Sequence, residues 1–364
     1  MSSTYLSGLS LSVFGESHGN GIGVVLDRLP PGESIDLKEA EEFLKRRAPG
    51  QNVPGSTSRT ESDHPTILSG LYRGKTTGTP LCAIFSNQNV RAKDYDQFKT
   101  RPRPGHADYT GSCRYRGFED PRGGGHFSGR LTAPITFAGA ICDQILKRKG
   151  ITIAAHIAQI HGIQDVPFDP VTPDLSEYSA LRNKKFPVLS AACGEQMARE
   201  IEYAKKTSNS VGGIIECIAI GVPAGIGSPI FQGMENELAC LLFGIPAVRG
   251  LEFGAGFAAA EMTGLEHNDV FFSENGVVKT KTNHHGGILG GITSGMPLIF
   301  RVCIKPTPSV GAVQQTLNKA TGRQEPFAIP GRHDSCIVPR ALPVVEAVTA
   351  IALLSQWLTA PPAE

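Results

Sequence analysis

No dominant charge is present in this chain of 364 residues: 35 Lys and Arg face 34 Asp and Glu, for a formal net charge of +1. A global field that would draw the protein to nucleic acid or to an anionic membrane is thereby excluded, and affinity for anions has to come from local clusters. Eight cysteines are scattered with no CxxC pair, which argues against a zinc site and supplies no disulfide framework. Free buried thiols are expected. The N-terminus lacks a charged segment followed by a long apolar run, so no signal peptide is expected and a cytoplasmic location is. The longest apolar stretch, Val344 to Leu358, holds Glu346 and Gln356 and is too short to span a bilayer. No GxGxxG stands between a strand and a helix, no P-loop sequence occurs, and no fixed-period repeat is found. The standard dinucleotide and nucleoside-triphosphate modules are therefore not expected.

Glycine is abundant instead. The chain has 42 Gly and 26 Pro, against average usage of about 7% and 5%, and the glycines cluster in loops between apolar segments. That suits a backbone that closely approaches a ligand in several places. Strands are expected at Leu9–Phe14, Ile22–Leu26, Pro80–Phe85, Ile151–Ile160, Ile214–Ile220, Val248–Phe253 and Leu298–Ile304. Asp36 and Glu39 resemble a capping box opening a helix that Pro49-Gly50 stops. Thr132 as N-cap and Pro134 open a second helix, closed by Lys147-Arg148-Lys149-Gly150. Further helices are expected at Glu195–Lys206, Glu235–Phe243 and Pro343–Leu358. Asn87 to Arg130 is polar and aperiodic, and reads as a long functional loop. Gln164 to Pro187 reads as a surface insert.

Four polar islands interrupt the apolar segments: Gly15 to Gly19, Arg103 to Asp108, Arg122 to Arg130, and Gly331 to Asp334. Each sets an ionisable group beside glycine, which frees backbone N–H groups to reach a ligand. Histidine in such a loop exchanges protons near neutral pH. Asp334 can alternatively cap the next helix or pair with Arg340. Arginines 101, 103, 114, 116, 122 and 130 crowd one stretch, and Arg46, Arg47 and Arg59 lie near the first island. Guanidinium forks match carboxylates and phosphates, and a neutral protein with such clusters fits a small polyanion better than a polymer. Near Asn283 to Gly291, His284 and His285 have no third ligand at a recognisable metal spacing, so no metal is expected.

Taken together, Phe14-Gly-Glu-Ser-His-Gly19, Arg103-Pro-Gly-His-Ala-Asp108, Arg122-Gly-Gly-Gly125, Asn283-His, Gly286-Gly-Ile-Leu-Gly-Gly291, Lys305-Pro-Thr307 and Gly331-Arg-His-Asp334 resemble the chorismate synthase family, in family order and almost end to end. The resemblance implies an α+β fold, a β-α-β sandwich with a helical layer between antiparallel sheets. It also implies one domain over residues 1–364 and assembly as a homotetramer. The implied reaction is the anti-1,4-elimination of phosphate from 5-enolpyruvylshikimate-3-phosphate, with reduced FMN as cofactor. His106 would meet the departing phosphate, His18 would govern protonation at the flavin ring, and Asp334 would manage the proton at its reactive nitrogen. Arg46, Arg47, Arg130 and Arg332 would hold the substrate. His126, Phe127, Ser128, Pro246, Ala247, Gly290, Lys305, Pro306, Thr307, Pro308, Ser309 and Arg332 match positions associated with the flavin.

The chain departs from the family at His126-Phe127 and at Pro246. Val53 replaces a usual arginine, for which Arg59 is a candidate substitute. With no Rossmann fingerprint, reduced flavin is expected from a separate source, and NADPH-driven reduction by this chain is not. The alternatives are a metal-dependent phosphohydrolase and a non-catalytic flavin-binding module.

Overall fold

Two antiparallel sheets enclose a layer of helices in the computed structural model, which describes residues 3–50, 53–56, 63–87, 96–329 and 333–361. The first sheet has the order Thr4–Leu6, Ser10–Gly15, Gly21–Asp27, Leu81–Ser86, Thr66–Ser69. The second runs Val248–Phe253, Leu298–Ile304, Gly213–Ile220, Thr152–Ile160, Ile163–Gln164. Eight α-helices are present among the described residues: α1 Leu37–Lys45, α2 Asp108–Tyr115, α3 Thr132–Arg148, α4 Leu175–Leu181, α5 Ala191–Lys206, α6 Met234–Leu242, α7 Gly264–His267 and α8 Val338–Thr359. This is the expected β-α-β sandwich.

The layering follows from where the apolar faces point. Ile22, Val24 and Leu26 of the first sheet and Ile153, Ala155 and Ile157 of the second are buried, and the period of two turns each set toward the helices. Between them lie α3 and α8, which approach closely because Gly139 has no side chain: a Cβ there would lie 2.3 Å from that of Ala347. Helix α8 is long and apolar enough to cross a membrane, yet Val344 through Leu354 are all buried. It begins at Val338, earlier than the Pro343 expected, because Pro339 occupies the first turn, where a missing N–H is harmless.

Several local expectations change. Asp36 caps α1 by accepting from Lys38 N and Glu39 N at 2.8 and 3.4 Å, while the Glu39 side chain pairs with Lys147 at 2.5 Å, so only half the capping box forms. Thr132 is the first residue of α3 and not its cap. The stretch from Asn87 to Arg130 contains α2, missed because that helix buries only Gly111 and so shows no apolar period. The insert is more than a loop: α4, capped by Asp174, brings Tyr178 and Leu181 together with Phe168 against Ala154, Ile218 and Ile299 on the outer face of the second sheet.

Candidate active site

A cleft of about 900 Å³ opens where α3 and α8 begin, between the first sheet's loops and the strand ends at Val248 and Ile304. Gly123 lines it and opens the run Gly123-Gly124-Gly125, with φ of 62°, 83° and 54°, positive values open to residues without a Cβ. His18 lies on this ribbon so closely that a Cβ on Gly123 would sit 1.9 Å from its Nδ1. His106 lies on the next residue, with Cε1 and Nε2 3.2 Å from the position of a Gly124 Cβ. Two islands far apart in sequence are thus pressed against a third.

His18 is 8% exposed, with Nδ1 3.3 Å from Ser17 Oγ. His106 places Nδ1 2.7 Å from Asp108 Oδ1, and Arg103 forks onto the same carboxylate at 2.8 and 2.7 Å. Burial opposes ionisation of Asp108, but hydrogen bonds from Arg103 and then His106 outweigh it and hold the carboxyl well below its usual range. His126 has both ring nitrogens engaged within the chain, with Ser3 Oγ at 2.6 Å and Gly15 O at 2.8 Å.

Six cationic side chains line the cleft, Arg47, Arg103, Arg130, Arg249, Lys305 and Arg340, with Asp334 the one carboxylate among the described lining residues. Arg47 is 2% exposed and donates to Asp63 Oδ2 from Nε and Nη2 at 3.2 and 2.6 Å. Arg130 pairs with the other oxygen of Asp63. Burial would raise the Asp63 carboxyl, but Arg47 and then Arg130 hold it below its ordinary range. Arg340 donates to Asp334 at 2.7 Å and to the Arg47 carbonyl at 3.0 Å, so the pairing weighed for Asp334 is the one observed.

Not every candidate reaches the cleft. Arg46 turns inward to Glu346 of α8, which is 0% exposed, and does not line the cleft. Consecutive residues at a helix end diverge by about 100°, which separates Arg46 from Arg47. Pro306 and Gly290 are likewise off the lining; Gly290 turns the Ile288–Leu289 and Ile292–Thr293 hairpin. Arg332, Gly331 and Arg59 lie outside the described residues. Phe127, Ser128, Pro246, Ala247, Lys305, Thr307, Pro308 and Ser309 line the cleft, as does His126. Ala247 has φ 77° where its carbonyl accepts from Lys305 N at 3.0 Å, a costly backbone for a residue with a Cβ. Lys305 reaches Gly105 O at 2.5 Å, and Thr307 Oγ1 is buried without a hydrogen-bond partner among the described residues. A lysine, an unmet hydroxyl and an exposed Phe127 ring suit a planar, phosphate-bearing cofactor, so the residues present fit FMN.

Asp63, Arg249 and Arg340 were not singled out as site residues from sequence. Asp63 carries no local signal, and Arg340 has only its spacing from Asp334. His284 and His285 gather with His267 and Asp269 away from the cleft; no group of three or more His, Cys, Asp or Glu among the described residues is placed to hold a metal.

Comparison with known proteins agrees across nearly the whole chain. A family model described as chorismate synthase matches residues 9–358. The chorismate synthase of Pyrococcus abyssi is 46% identical over 351 residues, covering 96% of each chain. That of Lancefieldella parvula is 44% identical over 365 residues, covering 97% of this chain and 96% of its own. A crystal structure of chorismate synthase superposes with a TM-score of 0.74 at 26% identity, over 96% of this chain and 92% of the other. The chain belongs to the chorismate synthase family.

Proposed function

We propose that this lyase removes phosphate from 5-enolpyruvylshikimate-3-phosphate by anti-1,4-elimination to give chorismate, and that it does so with reduced FMN. The observation that carries the reading is the pair of imidazoles on one glycine ribbon inside a cleft walled by six cations. A substrate bearing two carboxylates and a phosphate needs such a wall. Arg47, Arg130 and Arg340 hold its anionic groups, and Arg332 joins them on the grounds of resemblance alone. His106 offers Nε2 to the bridging oxygen of the departing phosphate, where negative charge grows. His18 keeps a proton beside the flavin ring, and Asp334, tethered by Arg340, handles the proton at its reactive nitrogen. Reduced FMN, when bound, supplies electron density that assists C–O cleavage and takes it back, so the flavin is required without net redox change.

A separate source of reduced flavin, a cytoplasmic setting and a homotetramer complete the reading. Ile230, Phe231, Phe257 and Leu265, all at least 75% exposed, supply apolar surface of the kind subunit contacts cover. The test is an anaerobic assay with chemically reduced FMN and substrate, following chorismate and phosphate together. Equal release of both is expected. Phosphate without chorismate, or full turnover with oxidised FMN and no reductant, would overturn the reading.

A further inference from the structure

We propose that Asp108 fixes the proton of neutral His106 on Nδ1, so that Nε2 is the one ring atom that exchanges a proton at the cleft. The proposal rests on the reading of His106 as the acid, and it makes Asp108 a positioning residue.

The local sequence builds the pair. Gly105, with φ 70°, turns the chain so that His106 and the first residue of α2, Asp108, face each other across Ala107. The Arg103 backbone N–H donates to Asp108 Oδ2 at 2.9 Å and Nε to the same oxygen at 2.8 Å. Its Nη2 donates to Oδ1 at 2.7 Å and lies 3.2 Å from His106 Nδ1. The guanidinium also rests 4.3 Å above the centre of the Phe98 ring. Both ends of the fork are therefore held.

Two proton placements compete. Arginine can only donate. If Nη2 donated to Nδ1, that nitrogen would be bare, and its lone pair would face Asp108 Oδ1 at 2.7 Å, lone pair against lone pair. If Nδ1 carries the proton, Oδ1 accepts from Nδ1 and Nη2 together, and the 3.2 Å separation is that of two donors sharing one acceptor. Only the second placement leaves no repulsion. Side-chain exposures of 17% for His106 and 9% for Asp108 leave little water to rescue the first. Arg103 also keeps the carboxylate ionised, so Asp108 accepts a hydrogen bond throughout and never takes the proton. Nε2 has no hydrogen-bond partner among the described residues.

The test is a double-mutant cycle with a spectroscopic arm. Asp108→Asn should lower kcat by roughly 10- to 100-fold at saturating reduced FMN, less than loss of the acid itself, at about 10²- to 10⁴-fold. The KM for substrate should hardly move. Combined with His106→Ala, Asp108→Asn should add no more than about twofold, since the two act as one unit. Losses that multiply would overturn the proposal. The second arm uses the native protein without flavin, labelled with ¹⁵N-histidine, with His106 assigned by its absence in His106→Ala. A protonated Nδ1 is expected in the neutral ring, with the Nε2–H form rising in Asp108→Asn. An Nε2–H ring in the native protein would overturn the proposal whatever Asp108→Asn does to folding. If His106→Ala alone leaves turnover near normal, the acid assignment falls while the tautomer result still judges Asp108.

Discussion

Replacing Gly123 by alanine tests the ribbon directly. The new Cβ would lie 1.9 Å from His18 Nδ1 and 2.1 Å from Cε1, so the ring has to retreat by about 1.5 Å to reach an ordinary 3.4 Å contact. Gly123 also has φ 62°, where an L side chain costs about 1–2 kcal/mol. The backbone term should therefore lower stability by that amount. A displacement of about 1 Å in an active site costs about 10²-fold in rate, so kcat should fall by at least that much if His18 works from this place. The control is Gly129→Ala, at a position where a Cβ meets nothing within 4 Å. Anaerobic stopped-flow measurement of chorismate with saturating reduced FMN gives kcat, and thermal melts give the stability term. Native kcat in Gly123→Ala, with a melting loss no larger than the backbone term, would refute the placement of His18 as a working group.

His106→Ala should lower turnover by at least about 10²-fold while FMN affinity and the melting midpoint change little, and His106→Gln should not restore the rate, because an amide is a poor proton donor. Asp63→Asn leaves Arg47 and Arg130 without their shared carboxylate, and should cost about 3–5 kcal/mol. Added phosphate or substrate should then raise its melting temperature more than that of the native protein; equal shifts would argue against an anion site there. His156 lies between Asp165 and Glu216, 3.0 Å from each. Burial lowers its proton affinity, but the two carboxylates outweigh that and raise it. Its stabilisation is fully present below the unfolded value of about 6.5 and is lost as pH rises through the higher folded value. Denaturant unfolding from about pH 6.5 upward should show that decline, and His156→Gln should flatten it.

The frame was more legible in the sequence than the arrangement of the site. His18 and His106 stood out because each sits beside a glycine, at Gly19 and Gly105, in a polar island that recurs along the chain. The strands and α3 were readable from their periods. Asp63 was invisible, since its meaning comes only from two arginines at positions 47 and 130 that share no local pattern with it. Arg46 and Arg47 could not be told apart by type; the rotation at the end of α1 decides which one faces the cleft. Helix α2 hid because its polar faces meet water. The insert hid α4 because its three buried side chains match another surface of the sheet and leave no period in the chain.

Helix α8 is the last in chain order among the described residues and lies deep in the core. Leu9 N donates to Ser355 Oγ at 3.1 Å and Tyr5 OH to the same hydroxyl at 2.9 Å, so the start of the chain closes on its end. Helix α3 packs on strands Gly21–Asp27 and Leu81–Ser86 of the first sheet, whereas α8 packs on Thr152–Ile160 and Gly213–Ile220 of the second. At a synthesis rate of about 5–20 residues per second, the second sheet therefore waits roughly tens of seconds for the helix that covers its inner face. Contacts so distant in sequence also fold slowly. The second sheet is therefore the layer that depends on α8, and a chain stopped just before Val338 should leave the inner face of that sheet and one side of α3 exposed. The nascent chain, more than the finished one, is where this fold is open to aggregation and to chaperones.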